Sequence, residues 1–99
     1  MEKVTQFSDK TIAEIASILQ MPVMELERES LRVYLQNRLA QVQVSLDELK
    51  SRYQVTTSEQ MENLYREGKL GEENSWQDFF RFDHLEDERE SLRRALDAL

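Results

Sequence analysis

The run LQNRLAQVQVSLDELKSRY, residues 35–53, decides the fold. Its apolar side chains Leu35, Leu39, Val42, Leu46, Leu49 and Tyr53 follow one another at spacings of 4, 3, 4, 3 and 4, with Gln36, Gln43, Asp47 and Lys50 among the polar groups between them. A period of 3.5 residues is a helical seam, not the period-two alternation of a strand, and it calls for another helix laid alongside. Upstream the pattern runs back to Pro22, which has no N–H to donate and suits the first turn of a helix. One helix from about Pro22 or Val23 to Tyr53 would be about 46 Å long, longer than a small domain is wide. Leu26, Leu31, Val33 and Tyr34 widen its apolar surface where an earlier helix should fold back.

That earlier helix is expected over Asp9–Gln20, with Ser8 as N-cap and Ile12, Ile15, Ala16 and Leu19 as one apolar stripe. Before it, residues 2–7 admit a short strand, with Lys3 and Thr5 pointing outward. Val4 and Phe7 differ in parity, so a regular strand cannot turn both inward. Downstream, Thr57 and Gln60 fit a capping box for a short helix over about Ser58–Glu67, whose apolar face is Met61, Leu64 and Tyr65. Gly68 suits the left-handed position that ends it. A last helix starts near Trp76, with Ser75 as cap, and runs to the C-terminus. Trp76, Phe79 and Phe80 share one of its faces, and Leu85, Leu92, Leu96 and Leu99 nearly the opposite one. A straight helix cannot turn both to one core. We expect a bend near Asp83-His84; the alternative is a continuous helix that offers one face to a partner. The seven-residue spacing of Leu85, Leu92 and Leu99 makes this segment the antiparallel mate of the central seam.

The fold class is therefore all-α, a helical hairpin or bundle around one long central helix. The alternative for the N-terminus is a strand of ribbon-helix-helix type. Ninety-nine residues with only two Gly and one Pro allow one small domain of few turns. Its 39% hydrophobic and 33% charged residues are lean for a self-sufficient globule, so a partner or a second copy is expected to complete it. Residues 1–40 carry five basic and six acidic groups, a net of −1, and form a candidate dimerisation or DNA-binding part. Residues 41–99 carry a net of −6 out of the total −7 and form a candidate partner-binding part, suited to a basic surface and not to a phosphate backbone. There is no cysteine, no apolar run near the ~20 residues of a membrane span and no signal-peptide pattern, so the cytoplasm is the expected compartment.

No catalytic constellation stands out, and the chain reads as a non-enzyme. His84 is the single histidine and reads as a surface group among acids. The acids from Glu72 to Glu88 lack the spacing of a metal loop, and no glycine-rich loop cradles phosphate. Neither cofactor nor metal is expected. The aromatic group Tyr65, Trp76, Phe79 and Phe80 reads either as core or as an anchor patch. Asp83, Glu86 and Asp87 would match basic groups on a partner. DNA binding through Lys3 and Thr5 is the rival reading; only Lys3 and Lys10 are basic on that face, which is meagre for phosphate. A structural homo-oligomer is a third.

The run Glu25-Leu26 … Ser30-Leu31 … Tyr34-Leu35 resembles the second helix of many small prokaryotic antitoxins. The stretches Leu46–Val55, Thr57–Glu62, Gly68-Lys69-Leu70, Trp76-Gln77-Asp78 and Asp83-His84-Leu85 are similar to small helical proteins of toxin–antitoxin pairs. The resemblance covers about residues 21–90. It implies an acidic helical antitoxin that sequesters a cognate toxin and in some cases represses its own operon; dimerisation through the first two helices is expected. In that pattern a glycine follows the tyrosine; here Gln54 follows Tyr53, and a tighter or shifted turn is expected.

Overall fold

A computed structural model of the chain describes residues 2–71 and 75–99, with side chains from Asp9 onward. It is all-α: α1 spans Glu2–Leu19, α2 Val23–Tyr53, α3 Ser58–Arg66 and α4 Ser75–Asp97. Among the described residues there is no strand. None of these helices is long and apolar enough to cross a membrane. The molecule is a rod of 60 × 25 × 19 Å with a radius of gyration of 19.8 Å, against about 13 Å for a compact chain of this length. Its long axis is set by the 31 residues of α2.

The seam of α2 is covered by α4, which runs antiparallel to it. Arg38 pairs with Glu88 near one end of the contact, Arg81 approaches Ser45 in the middle, and Arg52 pairs with Asp78 at the other end. Val42, Leu46 and Leu49 are buried against Phe82, Leu85 and Leu92; Val55 and Met61 close the same cluster. Leu35, Leu39 and Tyr53 are half-buried at its edges, and Leu64, Leu70 and Phe79 pack around it. The cover thins toward the start of α2, where Leu31 is exposed.

Three expectations are corrected. Residues 2–7 are helix, not strand: α1 runs unbroken from Glu2, and Ser8 lies inside it instead of capping it. A lone strand leaves its N–H and C=O groups unpaired, whereas a helix satisfies them internally, and no Gly or Pro between Glu2 and Asp9 stops a helix from propagating back. Second, α4 is one continuous helix through Asp83 and His84. Third, Ser75 is its first residue, and the hydroxyl donates to the carbonyl of Gly71.

The turns show how a glycine-poor chain stops its helices. Each of the first three ends with one residue in the left-handed region: Gln20 (φ 56°), Gln54 (φ 55°) and Gly68 (φ 71°). Behind each, the next N–H reaches back five residues, from Met21 to Ala16, Val55 to Lys50 and Lys69 to Leu64, at 3.0, 3.1 and 2.9 Å. These are Schellman closures, which satisfy carbonyls the helix leaves orphaned. Gln54 thus takes the backbone conformation expected of glycine, and the turn is neither tightened nor shifted. The N-terminus of α3 is capped much as the sequence implies. The Thr57 hydroxyl accepts from the Gln60 N–H at 3.2 Å, but the Gln60 side chain accepts from Thr56, one residue before the cap itself.

Two substitutions test this packing. Gln54→Gly relieves a left-handed non-glycine residue and should raise stability by about 0.5–1 kcal/mol, read as a higher thermal midpoint. Leu46→Ala opens a cavity at the centre of the helix pair and should cost about 2–5 kcal/mol. An unchanged midpoint for Leu46→Ala would contradict the α2–α4 core.

Candidate functional site

The outer side of α4 carries the most distinctive surface of the molecule. With Phe82, Leu85 and Leu92 turned to α2, the residues Trp76, Phe80, Asp83, Asp87 and Glu90 recur at spacings of 4, 3, 4 and 3 on another face, and all five are exposed. This heptad spacing aligns them in one stripe along the helix. Trp76 and Phe80 are 53% and 58% exposed, and their rings stack with centroids 5.0 Å apart. Phe79 turns inward, half-buried, and meets Tyr65 of α3 edge-on at 6.1 Å. Glu62, Tyr65, Trp76 and Phe79 line a groove of about 280 Å³ between α3 and α4. The Tyr65 hydroxyl is buried there and has no hydrogen-bond partner among the described residues.

Continuity of α4 and an exposed aromatic face go together. One side of α4 meets α3 through Phe79 and Glu86, another meets α2 through Asp78, Phe82, Leu85 and Leu92, and Trp76 and Phe80 are left outward. The aromatic cluster therefore divides into core (Phe79, Tyr65) and exposed surface (Trp76, Phe80), a division that the spacing alone left open.

The acids divide as well. Asp83 and Asp87 lie on the exposed stripe, but Glu86 does not. Its carboxylate accepts from the Ser58 N–H at 3.2 Å and from the Ser58 hydroxyl, so Glu86 caps the N-terminus of α3 from the neighbouring helix. A negative charge there also complements the helix dipole. Glu88 accepts from Nε and Nη2 of Arg38 at 2.6 and 2.8 Å, a two-pronged clamp between α4 and α2. Asp78 accepts from Arg52 at 2.8 Å and from the Tyr53 hydroxyl. The guanidinium of Arg38 holds the Glu88 carboxyl below its ordinary range, and the Tyr53 hydroxyl, with Arg52, does the same for Asp78. Burial, and the bond to Asp78, push the Tyr53 phenol up. Neither clamp was foreseen. The partners lie 50 and 26 residues apart, and no local pattern links them.

The seam residues Leu35, Leu39, Val42, Leu46, Leu49 and Tyr53 all lie in or against the α2–α4 core, within one chain. Lys3 and Thr5 stand in the first turns of α1, with side chains outside the described residues. The strand that a ribbon-type DNA reader would need is a helix here. His84 is exposed. Among the described residues no group of three or more His, Cys, Asp or Glu could hold a metal ion.

The chain belongs to the family described as the uncharacterized protein MJ0235 family, whose model matches residues 1–99. No curated protein and no solved structure matches the chain.

The clamps give the stability a pH dependence of known sign. Asp78 and Glu88 have folded-state pKa values below their unfolded ones, so their contribution is present above the ordinary carboxylate range, near 4, and is lost as pH falls through the folded values. Acid titration of the thermal midpoint should show this loss, and Glu88→Gln should lower the neutral-pH midpoint while flattening the acid slope. An identical acid profile in that variant would remove Glu88 from the account.

Proposed function

We propose that this protein is a non-catalytic interaction module that grips a basic protein partner along the outer stripe of α4, as an antitoxin grips its toxin. The observation that carries the reading is the stripe itself: a stacked Trp76–Phe80 pair, followed on the same face by Asp83, Asp87 and Glu90. Two large rings half in water are costly to leave exposed and are the side chains that dominate binding hot spots. A line of carboxylates beside them steers a basic surface into register. The adjoining groove, lined by Glu62, Tyr65, Trp76 and Phe79, offers a second contact.

An occluding role needs no reacting group in this chain. It needs a rigid helix held at a fixed angle; the packed α2–α4 core supplies that rigidity, and the Arg38–Glu88 and Arg52–Asp78 clamps fix its register. Glu86, expected at the partner, bonds to Ser58 of α3 and stands off the exposed stripe. The resemblance to antitoxins supports a partner of one class, a small basic protein encoded beside this one.

The test is co-expression with the protein of the adjoining reading frame. A stable complex is expected. Trp76→Ala with Phe80→Ala should weaken it by about a hundredfold or more, since truncating a hot-spot residue costs about 2–4 kcal/mol. Far-UV circular dichroism should stay unchanged, because both rings lie outside the α2–α4 core. Asp83→Lys with Asp87→Lys should mainly slow association and blunt its salt dependence. A complex whose affinity is indifferent to both double variants would place the contact elsewhere, and absence of any complex would remove the antitoxin reading.

A further inference from the structure

Exposed apolar side chains crowd at the end of the rod away from the α4 stripe. Ile15, Ile18 and Leu19 on α1 and Val23, Leu31 and Tyr34 on α2 all face solvent, Ile18 to 79%. Only Ala16 of the α1 stripe is buried. Between the two helices runs a groove of about 340 Å³, its walls formed by Ile12 and Ile15 on one side and Leu26 and Leu31 on the other, with Glu27 and Ser30 along α2. A groove lined in this way is the shape left when one helix of a bundle is missing.

Three observations say what fills it. The first is charge. The chain carries −7, yet residues 1–40 carry only −1, so this is the end at which two copies meet with least repulsion. The second is size. Two helices, each about 27 Å long over 18 residues and together about 20 Å wide, present a face that with side-chain relief approaches the roughly 800 Å² per partner of a standard interface. The third is the sequence of α2, which reads against its own reverse. Turned about the point between Arg28 and Glu29, Val23 falls opposite Tyr34, Leu26 opposite Leu31 and Glu27 opposite Ser30. Glu27, the one charged residue lining the groove, falls opposite a hydroxyl, while Glu25, Arg28, Glu29 and Arg32 line a separate groove on another side of α2 and stay clear of the contact. A two-fold interface requires this self-complementarity, because each residue meets the counterpart of its own contact.

We propose that a second copy of this chain docks in the α1–α2 groove, with the two α2 helices antiparallel about a two-fold axis between Arg28 and Glu29. Two α1–α2 hairpins then close one four-helix bundle. Val23 of each copy packs on Tyr34 of the other, and the Ser30 hydroxyl of each donates to Glu27 of the other. This assembly is independent of the α4 stripe.

Sedimentation equilibrium of the full chain at micromolar concentration tests it. The wild type should sediment at twice the chain mass. Val23→Glu alone and Tyr34→Lys alone should each sediment at the single-chain mass with unchanged far-UV circular dichroism, as should Ile18→Glu on α1. The double variant Val23→Glu with Tyr34→Lys should return to twice the chain mass, because the proposed register places the new carboxylate opposite the new ammonium. A wild type at single mass, a dimer that survives all three single substitutions, or a double variant that stays monomeric overturns the proposal. In the first case the groove belongs to a different protein.

Discussion

A leucine seam on a long helix must be kept from water, and the rest of the structure depends on how that is done. Alone, α2 would expose Val42, Leu46 and Leu49 along one side; with α4 beside it, all three are buried. Full burial of each such side chain is worth roughly 1.5–3 kcal/mol. The solvent-screened ion pairs at the two ends contribute far less. Packing therefore holds the helices together, and the ion pairs select among registers. A slip of one turn would separate Arg38 from Glu88 and Arg52 from Asp78 at once.

Once α4 is fixed in this way, its remaining surface is fixed too. A helix has room for more than one stripe, and α4 uses three. One faces α2 through Phe82, Leu85 and Leu92. A second holds α3 through Phe79 and Glu86. The third, Trp76 to Glu90, is left to solvent. Its aromatic part, Trp76 and Phe80, and its acidic part, Asp83, Asp87 and Glu90, all stay exposed. The surface proposed to bind a partner is thus what remains after internal demands are met.

The two ends of the rod differ in kind. Near the α3 end, three helices, α2, α3 and α4, converge on one core, and Glu86 of α4 caps α3 across the contact. At the α1 end a hairpin stands with its apolar groove open. A dimer closed through that groove would leave both α4 stripes facing outward, so that one assembly could hold two partners. The near-neutral charge of residues 1–40 and the acidity of residues 41–99 follow the same two ends.

Much of this was legible in the chain. The seam at 35–53 implied α2 and its antiparallel mate, because a heptad repeat is a local property that survives any tertiary arrangement. Pro22, Thr57 and Gly68 marked helix ends for equally local reasons. Other features depend on what lies alongside and were not legible. Gln20 and Gln54 take left-handed conformations that their side chains do not announce, since closing the helix end outweighs the modest backbone strain. Residues 2–7 could be strand or helix until it was known whether a pairing strand existed. Whether α4 bends, and whether Glu86 and Glu88 face a partner or their own neighbours, rested on pairings with residues 28 and 50 positions away. Sequence by itself determined the helices and the side that each must hide. Only the tertiary structure decided which hidden sides meet within one chain and which stay open, because burial belongs to pairs of surfaces and not to either one alone.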